Sequence, residues 1–168
     1  MAQVLAAAVQ RYTEANPLSH AQHRKAAAVM PGGNTRTVLY AEPFPITLVK
    51  GSGCTVTSLD GRQYVDFLGE YTAGLYGHSN EKIKAATQQA LESGWVLGGH
   101  TEREEELARL ITERIPSIEL IRFANSGTEA NLYAISTALA VTGRRKVVVF
   151  EGAYHGGVFV FAGPPSPL

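Results

Sequence analysis

The sequence predicts an α/β protein in which N-terminal helices and a small antiparallel β region precede the start of a mixed, mostly parallel sheet. Three observations predict it. Two alanine-rich helical segments open the chain, short β-rich runs punctuated by Asp60-Gly61 follow, and the stretch from Glu119 to Phe150 reads strand, helix, strand. This change of pattern divides the chain into residues 1–75, helical and antiparallel, and 76–168, the first part of a larger sheet domain.

The first helix is expected from about Gln3 to Ala15, ended by Asn16-Pro17. The second runs from about Ser19, its N-cap, to Met30, with Pro31-Gly32-Gly33 as the stop. ITLVKG, CTVTS and QYVDF, between Ile46 and Phe67, read as a three-stranded meander with Asp60-Gly61 as its second turn. Cys54 falls inside one of these runs and reads as a small apolar filler. GEYTAGLYGHSN, Gly69 to Asn80, is too rich in Gly and Tyr for a regular element and too apolar for a solvated loop, which is the character of a loop lining a site. Asn80 then caps a helix reaching about Ser93, with Ile83, Ala86, Ala90 and Leu91 as its buried stripe. Thr101 and Glu104 have capping-box spacing and open a helix to about Arg114, with Leu107, Leu110 and Ile111 facing inward. Strands at Glu119–Ala124 and Lys146–Phe150 flank a helix from Glu129 to Thr142 closed by Gly143, a βαβ unit whose apolar second strand suits a sheet covered on both faces.

Composition narrows the function. Fifteen Lys+Arg balance fifteen Asp+Glu, so there is no clustered positive excess of the kind nucleic acid or an acidic membrane surface demands. No apolar run approaches the roughly 20 residues that span a bilayer. The N-terminus reads as an amphipathic helix and not as a secretion signal, because Gln3, Gln10 and Arg11 interrupt its apolar stretch. One cysteine excludes an internal disulfide and a thiolate metal cluster, which fits a reducing, cytoplasmic setting.

Two turns carry the chemistry. Asn125-Ser126-Gly127-Thr128 lies where a strand hands over to a helix, and the first N–H groups of a helix point outward with the positive end of its dipole. Gly127 allows close backbone approach and the hydroxyls of Ser126 and Thr128 add donors, so a phosphate is the natural guest; a plain helix cap at Ser126 or Thr128 accounts for the same local pattern. Neither a Walker A loop nor a GxGxxG fingerprint is present. Gly152-Ala153-Tyr154-His155-Gly156-Gly157 follows the next strand, and the ends of parallel strands meet at one sheet edge, so the two turns should share a crevice. An aromatic ring between glycines beside an anion site suits a planar phosphorylated cofactor, although a partly buried, locally satisfied Tyr154–His155 loop is the simpler reading of that string alone.

Four ordered runs, PGGNTRTVLYAEPFP, GEYTAGLYGHSN, RFANSGTEAN and TGRRKVVVFEGAYHGGV, together resemble the class III, fold type I, pyridoxal-phosphate aminotransferases. That group includes the glutamate-1-semialdehyde 2,1-aminomutases, and the likeness is strongest to its β-phenylalanine aminotransferase branch. The resemblance implies that Ser126, Gly127 and Thr128 hold the phosphate of pyridoxal 5'-phosphate, that Tyr154 stacks on its pyridine ring, and that His155 belongs to the same wall. It places Arg36 on the substrate carboxylate, where bidentate guanidinium geometry is apt, and Tyr71 in the substrate pocket. It further implies transfer of an amino group from an amino acid, such as a β-amino acid, to a keto acid, in a homodimer whose active sites form at the subunit interface. An aminomutase-like activity is the alternative.

In that family the Schiff-base lysine and the carboxylate facing the pyridine nitrogen both follow the YHG motif. Lys25, Lys50, Lys82, Lys84 and Lys146 match no such position, so this chain is expected to lack the catalytic lysine and to be the front portion of a longer architecture. Three explanations stay open at this point: a truncated product of an ordinary aminotransferase gene, a shortened family member kept as a non-catalytic interaction partner, or one part of an enzyme completed by a second chain.

Overall fold

The computed structural model describes residues 2–150 and 153–157; the expected turn residue Gly152 and the Pro-rich end from Gly163 lie outside them. The chain divides into two compact units, one ending at Val96 and one beginning at Leu97.

The first unit opens with α1 (Ala2–Ala15) and α2 (Pro17–Ala27). Ser19 is not the cap of α2. Asn16 holds the N-cap position without a side-chain cap bond, and Ser19 is a fully buried residue of the first turn. Asp60 does the capping from the second turn of the meander. Its carboxylate accepts from the N–H of Leu18 at 2.7 Å, from the N–H of Ser19 at 3.1 Å and from the Ser19 hydroxyl. The first-turn N–H groups have no intrahelical partners, and a carboxylate satisfies them while also matching the helix dipole. Burial pushes the Asp60 carboxyl upward, but the bonds from the Ser19 hydroxyl and the two N–H groups outweigh it and hold the group below the usual range. Ser19 Oγ in turn accepts from Thr47 N–H at 3.2 Å, tying the helix to the chain entering the sheet.

The apolar centre of this unit is Phe44, only 2% exposed. His20 stacks on its ring at 4.6 Å between centroids, Tyr12 lies tilted at 4.9 Å, and the Tyr12 hydroxyl donates to the Phe44 carbonyl at 2.8 Å. The meander forms as expected, with β1 (Leu48–Ser52), β2 (Thr55–Ser58) and β3 (Gln63–Val65) antiparallel in that order. Val56 pairs with Gly51 on one side and with Tyr64 on the other, and Val56 and Ser58 alternate inward. Cys54 is exposed in the β1–β2 turn, so it fills no core space. Beyond the sheet, α3 (Glu81–Glu92) starts at Asn80, whose side chain accepts from the N–H groups of Lys82 and Ile83 at 3.1 and 3.2 Å. The stripe expected on α3 is not buried, since Ile83 and Leu91 are exposed.

In the second unit α4 (Glu102–Arg114) begins at Thr101, but the capping box does not form. The Thr101 side chain makes no cap bond, and the Glu104 carboxylate lies 3.7 Å from His100 Nδ1 in place of reaching back to Thr101. Leu107 and Leu110 are exposed, not turned inward. α5 (Gly127–Thr142) ends as expected, Gly143 at φ 65° returning its N–H to the Leu139 carbonyl at 2.9 Å. The segments 119–124 and 146–150 form no ladder, so the expected strands of the βαβ unit are absent among the described residues. A strand exists only through hydrogen bonds to a neighbour, and apolar character alone does not supply one. Leu120 and Val148, 92% and 97% exposed, show these segments uncovered. Among the described residues no helix is long and apolar enough to cross a membrane, and no group of three or more His, Cys, Asp or Glu could hold a metal ion.

Candidate functional site

The N-terminus of α5 is built by its own sequence. Ser126, the N-cap, accepts the Glu129 N–H on Oγ at 3.2 Å, which leaves its hydroxyl proton free to donate outward. The Glu129 side chain reaches back past the cap, Oε2 accepting from Asn125 N–H at 2.8 Å and from Asn125 Nδ2 at 3.1 Å. Its other oxygen accepts from the Tyr133 hydroxyl at 2.9 Å. The Asn125 N–H above all, then the Tyr133 hydroxyl, hold the Glu129 carboxyl below the usual glutamate range. Arg122 sits over the Tyr133 ring at 5.1 Å from its centroid and adds positive charge to the same corner. Glu129 therefore braces the turn that leads into α5. The Ser126-x-x-Glu129 spacing is the signal that finds this brace in the sequence.

The structure brings the second turn onto the first. Gly156 is buried against α5, where an added Cβ would lie 3.0 Å from Thr128 Cα and Oγ1. Gly157 N–H donates to Thr128 Oγ1 at 3.0 Å, so the Thr128 hydroxyl also keeps its proton to donate. The His155 carbonyl accepts from Asn131 Nδ2 at 3.2 Å, and His155 Nε2 lies 3.2 Å from the Phe150 carbonyl, the nitrogen acting as donor. Asn131, one turn into α5, is a contributor that the sequence pattern did not single out. Tyr154 is left 84% exposed beside this junction. Among the described residues nothing accepts from the N–H groups of Gly127 and Thr128, and apart from its chain neighbours and the helix's own backbone nothing lies within 4 Å of where a Gly127 Cβ would be. The result is a cup of outward donors at a helix N-terminus with an aromatic ring available alongside.

The other two candidates lie in the first unit and meet across two loops. Arg36 forms an ion pair with Glu70, both side chains half-exposed, and the Tyr71 hydroxyl donates to the Val38 carbonyl at 3.3 Å. Glu70, Tyr71 and Thr72 all take left-handed backbone, at φ 50°, 53° and 81°. Such backbone costs roughly 1–2 kcal/mol for each non-glycine residue, more than a half-exposed ion pair of about 0–1 kcal/mol returns. Other contacts must therefore hold the loop. Asp66 accepts from the N–H groups of Leu68 and Gly69 at 2.9 and 3.0 Å and from His78 Nε2 at 2.9 Å, and the Gly69 N–H bond leads in holding its carboxyl below the usual range. His78 is seated in turn against Gly51, where an added Cβ would come within 2.6 Å of it. Arg36, Leu39, Leu48, Asp66, Glu70 and His78 all line one cavity of about 510 Å³.

The family model described as Aminotransferase class-III matches residues 39–162. The chain belongs to the class-III aminotransferase family. It is 53% identical over 165 residues to a β-phenylalanine transaminase of Variovorax paradoxus, covering 98% of this chain and 38% of that protein. A solved structure of a β-phenylalanine aminotransferase from the same organism matches with a TM-score of 0.92 at 53% identity, over 98% of this chain and 38% of the other. A glutamate-1-semialdehyde 2,1-aminomutase of Methanothermobacter thermautotrophicus is 42% identical over 133 residues, covering 79% of this chain and 32% of that protein. The class-III chain thus spans 38% or less of the length of these relatives.

Proposed function

We propose that this class-III chain carries the cofactor-phosphate cup and the substrate-carboxylate subsite of a pyridoxal-phosphate-dependent aminotransferase acting on a β-amino acid. The carrying observation is the N-terminus of α5, where four donors have no acceptor among the described residues: the N–H groups of Gly127 and Thr128 and the hydroxyl protons of Ser126 and Thr128. They fit a phosphate dianion in number, charge and direction. The exposed Tyr154 ring supplies a stacking face of the kind a pyridine ring takes, and His155 braces the turn that presents it. When bound, pyridoxal phosphate supplies an electron sink for moving an amino group between an amino acid and a keto acid.

In the first unit Arg36 offers a planar fork for a carboxylate, and Tyr71, anchored by its hydroxyl, borders the same loop. The identity to a protein named β-phenylalanine transaminase, 53% against 42% for a named aminomutase, supports a β-amino acid as donor over a γ-semialdehyde. The same reading makes the enzyme a cytoplasmic homodimer whose partners are small amino donors and keto acceptors.

Equilibrium dialysis of the 168-residue chain against pyridoxal phosphate and against pyridoxal tests the cup directly. Charge-assisted bonds to the phosphate are each expected to contribute about 1.5–3 kcal/mol, so with four donors the phosphorylated form should bind on the order of ten-thousandfold more tightly. Equal affinity for the two would contradict the proposal.

A further inference from the structure

We infer that Asn131 is a positioning residue for the cofactor ring: by holding the His155 carbonyl from one turn inside α5, it sets where the Tyr154 ring stands relative to the phosphate cup. The inference deepens the reading of the cup given above and rests on it. Asn131 itself is no part of the cup.

Among the described residues the turn at 154–157 is fastened to α5 at two points. At the first, Gly157 N–H donates to Thr128 Oγ1 at 3.0 Å, and Gly156 lies so close that an added Cβ would stand 3.0 Å from Thr128 Cα. At the second, Asn131 Nδ2 donates to the His155 carbonyl at 3.2 Å. Thr128 and Asn131, three apart on α5, share one face of the helix. A single fastening would let the turn pivot about Thr128, whereas two define its direction. The His155 ring works on the other side, its Nε2 donating to the Phe150 carbonyl at 3.2 Å on the incoming chain.

Tyr154 takes its place from this docking. The residue is 84% exposed, so packing does little to hold its ring, and the backbone that carries it is the one ending at the His155 carbonyl. A ring and a phosphate joined by covalent bonds can meet both surfaces at once only if those surfaces stand at one spacing. Two linked contacts reinforce each other only where the geometry lets them engage together. A turn ordered in advance also avoids the entropy that a loose one loses on binding. Asn131 is exposed on regular helix, so this order comes from a side chain that the unit does not need for its own packing.

A brace that merely stabilised the unit would act on every ligand of the cup alike. A positioning contact acts only on ligands that carry the ring. The test is therefore equilibrium dialysis against pyridoxal phosphate and against inorganic phosphate, with the unaltered chain, Asn131→Ala, Asn131→Gln, Tyr154→Ala and the Asn131→Ala/Tyr154→Ala pair. Asn131→Ala removes the donor and raises helix propensity, so α5 itself is not at risk. It should weaken pyridoxal phosphate about five- to tenfold, the size of one aromatic stacking contact, and leave inorganic phosphate within about twofold. Asn131→Gln keeps an amide donor on a longer arm and should restore part of the loss. Tyr154→Ala should weaken pyridoxal phosphate as much as Asn131→Ala does, and the pair should bind no worse than either, because a ring already out of place has nothing further to lose. If Asn131→Ala leaves pyridoxal phosphate unchanged, weakens inorganic phosphate equally, or adds in full to Tyr154→Ala, the positioning role falls and the cup keeps its assignment. If the unaltered chain binds pyridoxal phosphate no more tightly than pyridoxal, both fall.

Discussion

The N-terminus of α5 and the Glu70–Thr72 loop, which brings a carboxylate to Arg36, are made in opposite ways. At α5 the cap itself is local, with Ser126 capping, Glu129 reaching back to Asn125 and an ordinary helical backbone, and the Gly156–Gly157 turn is docked onto it from further along the chain. The Glu70 loop runs against its residues' own preferences and depends on contacts with Asp66, His78 and Val38. A local site of this kind survives changes elsewhere in its unit, whereas an imposed one fails with its scaffold.

The largest effect expected from this contrast is at the scaffold of the first unit. Phe44→Ala should lower stability by about 3–5 kcal/mol in urea titration, because the cavity removes the ring on which His20 and Tyr12 pack. A loss below about 1 kcal/mol would mean that the aromatic cluster does not hold the unit together. Next come the glycines. Gly77→Ala puts a Cβ 2.6 Å from the Gly53 carbonyl oxygen at φ 72°, and should cost about 2–3 kcal/mol in thermal unfolding. Gly156→Ala meets Thr128 at 3.0 Å at φ 87° and should be milder in stability, about 1–2 kcal/mol, while weakening pyridoxal phosphate binding several-fold by pushing the turn off the cup. Equal phosphate affinity in Gly156→Ala would show that the docking of the two turns is irrelevant to binding.

These particulars also mark what the sequence could and could not show. Asn80, Gly143 and the Asp60-Gly61 turn were legible because each acts through bonds a few residues away. Ser19 was misassigned because its partner, Asp60, is 41 residues distant and no local pattern announces a cap supplied from another element. The Arg36–Glu70 pair, 34 residues apart, was invisible for the same reason. Periodicity assigned inward faces to α3 and α4, but which face finds a partner is a tertiary fact, and Ile83, Leu91, Leu107 and Leu110 are exposed. The two apolar segments flanking α5 read as strands for the same local reason and have no ladder among the described residues. At the candidate site, the helix cap at Ser126 was legible and the brace at Glu129 was available in the spacing.

A smaller effect is read out by acid. Asp60 and Asp66 have folded values held below their ordinary ones, so the unfolded chain binds protons more readily there. Their contribution to stability is complete above about pH 4, the unfolded aspartate value, and is lost as pH falls through the lower folded values. Asp60→Asn should flatten the acid limb of stability against pH measured by circular dichroism, and an unchanged slope would contradict its role at α2. Glu129→Gln should have the least effect, a loss of a few-fold in pyridoxal phosphate affinity, since glutamine keeps one acceptor and loses either the Asn125 or the Tyr133 bond.

The account stands most directly on the hydroxyls of the cup. Pyridoxal phosphate and pyridoxal affinities should be measured for the Ser126→Ala/Thr128→Ala chain beside the unaltered one. Loss of two charge-assisted donors should weaken pyridoxal phosphate by roughly a hundredfold and leave pyridoxal unchanged. Unchanged pyridoxal phosphate affinity, or a parallel fall for pyridoxal, would show that the N-terminus of α5 does not hold the phosphate.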